Sequence, residues 1–200
     1  MSKNISRRLR KYRYVFYRET LINSHEQFWS FVGAFVGIGV IAYVQSLQIP
    51  QFENLFLIGS FGASSVLIYG AIQSPLAQPR NLIGGHVVSA IVGVTVGKIC
   101  PEVIWLTAPL AVALSIVAMQ FTRTLHPPGG ATALIAVASG TKISGMGYMY
   151  VLSPVLSGSI ILFLVALLFN NITSKRHYPV KHSRLRRSRR NAIKKRFQPN

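Results

Sequence analysis

Between Phe28 and Phe169 the chain alternates apolar runs with short polar or proline-bearing links. Phe28 to Ile49 spans 22 residues and places Gly33, Gly37 and Gly39 on one small-residue face. Leu55 to Ile72 spans 18 and is interrupted by the cluster Gly59-Ser60-Phe61-Gly62-Ala63-Ser64-Ser65. Leu82 to Ile99 carries His86, Val103 to Phe121 is rich in Leu, Ala and Val, and Tyr148 to Phe169 is a further full-length run. At about 1.5 Å per residue, roughly 20 apolar residues cross the hydrocarbon core. A sixth stretch, Gly129 to Ser139, is too short to cross alone. Trp29, Tyr43, Trp105, Tyr148 and Tyr150 lie near run ends, where amphipathic rings anchor helices at the interface.

An internal repeat orders these runs. At an offset of 68 positions Gly62-Ala63-Ser64-Ser65-Val66-Leu67-Ile68 falls on Gly130-Ala131-Thr132-Ala133-Leu134-Ile135-Ala136, and Val87–Ala90 falls on Val155–Gly158. The expected fold is therefore all-α, a polytopic membrane protein of two similar halves, Phe28–Ile99 and Pro101–Asn170. Each half has two long membrane helices flanking a short or broken one. The expected division is a basic segment over 1–27, a transmembrane domain over 28–170 and a basic tail over 171–200.

Charge sharpens this picture. Of 22 Lys and Arg residues only Arg80, Lys98, Arg123 and Lys142 lie between Phe28 and Asn171, which leaves 22 − 4 = 18 on the flanks. A soluble surface of that length needs many more charges. Basic flanks at both ends place both termini in the cytoplasm, so the number of crossings is even. Six crossings put Arg80 and Arg123 inside, Glu53 and Glu102 outside, and invert the halves. Four crossings leave the two short segments re-entrant and put both arginines outside. The expected setting is a bacterial inner membrane, with an organelle membrane second because the Arg-rich start weakly resembles a transit peptide. The polar first 27 residues, with no small-residue cleavage site, do not read as a signal peptide. The lone Cys100 excludes an internal disulfide framework.

Candidate chemistry centres on Thr124-Leu125-His126-Pro127-Pro128-Gly129-Gly130-Ala131-Thr132. Pro127 and Pro128 break the backbone and suit a helix start, and Pro79 marks a similar break upstream. Inside hydrocarbon such a break survives only where protein or a water-filled cavity satisfies the freed groups. A broken helix with an exposed positive end suits an anion. On that reading His126, the amides of Gly129, Gly130 and Ala131, and the Thr132 hydroxyl bind the anion. Gly62, Ser64 and Ser65 form the repeat-equivalent turn, and inverted halves would bring the two short-helix starts together near the midplane. Each residue also has a plainer role. His126 caps the helix, the Gly, Ser and Thr residues let helices pack, and Arg80 and Arg123 snorkel to the interface rather than gather anions. His86 is either a neutral histidine bonded to a neighbouring helix or part of a proton relay.

The Arg123–Ala133 block together with Ser74–His86 resembles the HPP family of integral membrane proteins, and the likeness covers most of residues 25 to 170. The resemblance implies four membrane-spanning helices. Some plastid and cyanobacterial members are associated with nitrite transport. Some relatives carry C-terminal CBS domains; this chain has a basic tail at that place, so nucleotide regulation is not carried over.

The expected function is a transporter or channel for a small inorganic anion, with nitrite the choice the resemblance favours. The rival is a membrane binding or scaffolding protein whose proline turn is structural. No grouping resembles a metal site, a nucleophile with its base or a cofactor-binding loop, so neither enzyme activity nor a cofactor is expected. The Gly33/Gly37 face suits association within the chain or between subunits. The run from Lys175 to Arg196 holds eleven Lys and Arg and no acid. Beside a membrane helix it is read as binding anionic lipid rather than nucleic acid. Vesicle co-sedimentation checks this: residues 175 to 196 should bind anionic liposomes by roughly 1 kcal/mol per basic residue near the surface, weakening with salt. Equal binding to neutral vesicles, or a preference for RNA, would reject it.

Overall fold

A computed structural model describes residues 24–47, 59–101, 103–139, 145–174 and 176–180. Glu53, Glu102, Lys142 and most of both basic flanks lie outside the described residues. Regular structure among the described residues is entirely helical. Helix α1 spans Ser24–Ser46. A short helix α2 covers 59–65 and runs into a π-helical turn, Val66–Gly70. After a single 3-10 turn, Pro75–Ala77, come α3 (Pro79–Ile99) and α4 (Ile104–Phe121). Helix α5 is Pro127–Ala138, and a second π-helical turn, Val151–Leu156, leads into α6, Ser157–Phe169.

Four of these runs are long and apolar enough to cross a membrane: Ser24–Val44, Pro79–Ile99, Ile104–Phe121 and Val151–Phe169. The second apolar run of the sequence is not among them. Its described part is α2 with its π turn, and 51–58 lie outside the described residues. At 12 residues α5 is about 18 Å long, well short of the hydrocarbon thickness.

Contacts fix the direction of each run. At one end of the bundle, called here the near end, the start of α1 meets Tyr69 and Asn170 through Arg176. The start of α3 meets the end of α4 through Arg80 and Thr122. At the far end, Lys98 of α3 lies over the Tyr148 ring and Thr95 bonds its hydroxyl at 3.0 Å. The six runs therefore alternate in direction, and the first and last described residues share the near end.

The outer surface is apolar, with Phe35 71%, Trp105 78% and Phe121 89% exposed, as a surface facing lipid tails requires. Phe61, Leu82, Ala90, Leu162 and Ala166 fill the interior. The faces that pack are built from small residues, because lipid tails compete equally for bulky apolar groups. On α3, Gly85, Ser89 and Gly93 recur every fourth residue. A Cβ on Gly93 would lie 2.7 Å from the Ala133 carbonyl, and one on Gly129 would lie 2.7 Å from Ser89 Oγ. Helices α3 and α5 thus run parallel with their backbones nearly touching. The Gly33/Gly37 face of α1 is filled from within the chain, since the Tyr69 ring lies where their side chains would be.

The chain beyond α6 folds back on the near end. Arg176, read from sequence as part of the lipid-facing tail, is only 1% exposed. Its guanidinium donates to the Tyr69 carbonyl at 2.6 Å, to Asn170 Oδ1 at 2.9 Å and to the Glu26 carbonyl at 3.2 Å. Glu26 Oε2 lies 3.6 Å away as its counter-charge. Tyr178 donates its hydroxyl to the Ala77 carbonyl at 2.7 Å, and the Val180 amide donates to Gln78 Oε1 at 2.9 Å.

The glycine face gives a direct comparison. Gly93→Ala should destabilise the protein by about 1–3 kcal/mol, because the clash is with backbone. Gly39→Ala, with nothing within 4 Å of its Cβ, should be neutral or gain up to about 1 kcal/mol of helix propensity. Thermal unfolding in detergent measures both, and equal effects would show that α3 and α5 are not in close contact.

Candidate functional site

Helix α4 ends where its backbone turns left-handed at Arg123, φ 58°. The Thr124 amide donates back to the Met119 carbonyl at 2.8 Å and the Arg123 amide to Gln120 at 3.1 Å, the pairing that closes a helix through a left-handed residue. Glycine usually holds that position; here an exposed arginine does. The chain then runs extended to His126 (φ −139°, ψ 106°), and Pro127 and Pro128 open α5. Gly85 packs against His126, six residues into α3, so the break lies about 9 Å inside the helix start.

At that depth every freed carbonyl needs a donor. Asn81 Nδ2 donates to the Leu125 carbonyl at 2.6 Å and Arg80 Nη2 to Thr122 at 2.9 Å. The Gly129 amide donates to the His126 carbonyl at 2.8 Å. The α3 start and the α5 start thus hold the break between them.

Behind the break, four polar side chains from four places in the chain converge. Ser64 Oγ of α2 lies 2.7 Å from His86 Nε2 of α3 and 2.8 Å from His126 Nε2. His86 Nδ1 lies 2.7 Å from Thr132 Oγ1 of α5. His126 Nδ1 lies 2.9 Å from the Leu76 carbonyl. Both histidines and Ser64 are fully buried, and Thr132 is 1% exposed. The two rings meet edge to face at 5.0 Å, and Phe61 covers His86 at 5.1 Å. Phe61 fits because Gly158 of α6 has no side chain to displace it.

The hydrogens follow from the carbonyl end. Leu76 only accepts, so His126 carries its proton on Nδ1 and accepts at Nε2. The Ser64 hydroxyl has two acceptors in reach, His126 Nε2 at 2.8 Å and the Ser60 carbonyl at 3.2 Å; with the shorter one it donates to His126 and accepts from His86 Nε2–H. That leaves His86 Nδ1 to accept from the Thr132 hydroxyl. The result is one directed chain, Thr132 to His86 to Ser64 to His126 to Leu76, made of the shortest contact at each hydroxyl, with the Ser60 and Pro128 carbonyls as longer alternatives at 3.2 and 3.5 Å. Among the described residues the only acid is Glu26, which pairs with Arg176 at the near end, so no buried counter-charge opposes an imidazolium here.

The residues singled out from sequence divide accordingly. Ser64, His86, His126 and Thr132 come together. Ser65 is buried beside Ser64 with its hydroxyl unpartnered, and Ser89, which sequence reasoning passed over, has its hydroxyl buried and unpartnered against Gly129. Arg80 and Arg123 lie at the near end, exposed. The glycines do other work. The Gly129 amide is taken by His126, and a Cβ on Gly130 would face Val112 of α4 at 3.7 Å. Ala131 is half-buried in the first turns of α5. Gly62 lies within α2 rather than at its start, with nothing within 4 Å of a Cβ. Helix α2 runs toward the near end while α5 runs away from it, so their starts point to opposite sides and they meet through Ser64 and His126.

The family model for the HPP transmembrane region matches residues 19–179. The chain belongs to the HPP transmembrane family. It is 48% identical over 159 residues to a transmembrane protein of Dictyostelium discoideum, covering 76% of this chain and 50% of that protein. A second transmembrane protein of the same organism is 46% identical over 155 residues, covering 76% of this chain and 54% of its own length. The HPP chain thus spans about half the length of the curated relatives it matches. No solved structure matches it. Both relatives are eukaryotic, so they support a membrane setting without supporting a bacterial one.

Thr132 tests the chain of donors. Thr132→Val keeps the shape but leaves His86 Nδ1 buried without its donor, and should cost about 1–3 kcal/mol. Thr132→Ser should cost less than about 1 kcal/mol, because the hydroxyl survives. Detergent melts of the two variants decide it, and an equal loss would place Thr132 outside the network.

Proposed function

We propose that this HPP protein moves a small inorganic anion across its membrane, past the Ser64–His86–His126–Thr132 cluster. The observation that carries the reading is the convergence of neutral hydrogen-bonding side chains at the depth of a helix break. The bundle around them shows no buried acid among the described residues. Polar groups at membrane depth are expensive and mark pathways by default. Arg80 and Arg123 at the near end supply positive potential at one mouth. The buried hydroxyls of Ser65 and Ser89 are donors still without a partner. Donation to the anion then falls to side chains, since the Gly129 amide is already engaged.

Nitrite is the first anion to test, on the resemblance to plastid and cyanobacterial members associated with nitrite. The reading keeps two inverted halves, both termini in the cytoplasm, anionic lipid against the basic flanks, and no nucleic-acid partner, cofactor or enzymatic step. The halves gain support from position: 64 + 68 = 132, so the hydroxyls on either side of His86 sit at repeat-equivalent places.

A second reading is a non-transporting scaffold in which the proline turn only holds helices together. It is favoured by one observation, that each of the four clustered side chains is already hydrogen-bonded, to another of them or to the Leu76 carbonyl.

Flux of nitrite, nitrate, formate and chloride into proteoliposomes separates the two. Saturable flux of at least one anion above protein-free vesicles is expected. Arg123→Gln should raise the half-saturating concentration several-fold, and added salt should close the gap by screening. Flux indistinguishable from empty vesicles for all four anions would leave the scaffold.

A further inference from the structure

We propose that the chain Thr132–His86–Ser64–His126 is a proton relay, and that anion movement through this protein carries a proton with it. The proposal rests on the transport reading for its cargo, but its geometry stands by itself. A structural histidine needs one partner at each nitrogen. Here two histidines share one hydroxyl as donor to one and acceptor from the other, with spacings of 2.7 and 2.8 Å. That arrangement is continuous from α5 through α3 and α2 to the turn at Leu76. It is buried throughout, and its direction is fixed at one end by the Leu76 carbonyl.

The transfer balances as follows. A proton from water or an acid on the far side adds to Thr132 Oγ1 as the Thr132 hydroxyl hydrogen passes to His86 Nδ1. His86 gives its Nε2 hydrogen to Ser64, and Ser64 gives its own hydrogen to His126 Nε2. Every oxygen ends neutral, one O–H or N–H bond has broken for each one made, and His126 holds the single added proton as imidazolium. The anion beside the turn is its counter-charge, and Arg80 and Arg123 draw that anion to the same end. Loss of the Nδ1 proton to the near side leaves every link reversed. Reversal also forfeits the bond to Leu76, and the starting direction is regained only when each imidazole is re-protonated on its other nitrogen, the N–H bonds at His126 Nε2 and His86 Nδ1 breaking as those at His126 Nδ1 and His86 Nε2 form.

Few other groups titrate nearby. Among the described residues, Tyr150 touches the relay, donating its hydroxyl to the Thr132 carbonyl at 3.0 Å. Arg80 and Lys98 lie toward the two ends of α3, and Arg123 lies past the end of α4. Helices α2, α5 and α6 present none, apart from Tyr69 in the π turn, whose ring lies against α1, and beyond α6 Tyr178 donates its hydroxyl to the Ala77 carbonyl beside Leu76. A pH effect lost with Ser64 therefore reports the relay.

The test uses the full chain in proteoliposomes loaded with a pH-sensitive dye, with potential clamped by potassium and valinomycin and protein-free vesicles subtracted. Dye response is read after an inward nitrite gradient and, separately, after an acid jump without nitrite. Wild type should acidify the lumen in both. Ser64→Ala should lower proton flux by about tenfold or more, and Ser64→Thr, which keeps the hydroxyl, should restore it. His86→Gln should match Ser64→Ala, because an amide bonds its neighbours but does not pass a proton on. Nitrite flux with no proton movement would overturn the relay and leave transport standing. Proton flux that depends on Ser64 without nitrite flux would uphold the relay and remove the anion reading. Proton flux equal in wild type and a folded Ser64→Ala, or absent from both, would overturn the relay.

Discussion

The close approach of α3 and α5 is the contact on which the rest of this structure depends. A polypeptide that breaks its helix inside hydrocarbon exposes carbonyls that lipid cannot satisfy. Here the donors for those carbonyls come from the start of α3, and they reach only because Gly85 and Gly93 let α5 lie against α3 with no side chain between. The same contact sets His86 one residue after Gly85 and therefore next to His126. One packing decision thus repairs the backbone and assembles the histidine pair.

Burial then dictates chemistry. With Phe61 against one ring and a fully closed hydrogen-bond chain around both, neither histidine is free to choose its tautomer. A carbonyl at the turn decides the position of hydrogens two helices away. Such a network either locks the helices or conducts, and two further buried hydroxyls, Ser65 and Ser89, lie on the same helices as Ser64 and His86.

Much of this was legible in the sequence. The apolar runs, the proline break and the four residues that cluster could be named from hydropathy and residue chemistry. Helical periodicity also offered Gly85, Ser89 and Gly93, but small residues are common in membrane helices and nothing local marked that face above others. The pairing of His86 with His126 was not legible, because 40 residues and two direction changes separate them. The amide reading of the turn overlooked that a short first turn lets the His126 carbonyl occupy Gly129. Arg176 was misplaced because eleven basic residues in a run look alike, whereas one of them has a carboxylate and two carbonyls waiting beyond α6.

That buried arginine also joins parts of the chain that are far apart in sequence. Besides the direct contacts of Ser30 and the Gly33/Gly37 face with Tyr69, the start of α1 is tied to Tyr69 and Asn170 through a residue six positions beyond Asn170. Helix α1 is therefore held at the near end from two places, by Tyr69 directly and by Arg176 from beyond α6. Without the guanidinium of Arg176 the Tyr69 and Glu26 carbonyls and the Glu26 carboxylate lose a shared partner. The seating of α1 at the near end thus draws on a residue that follows every described membrane helix, so a local change beyond α6 is felt at the first helix.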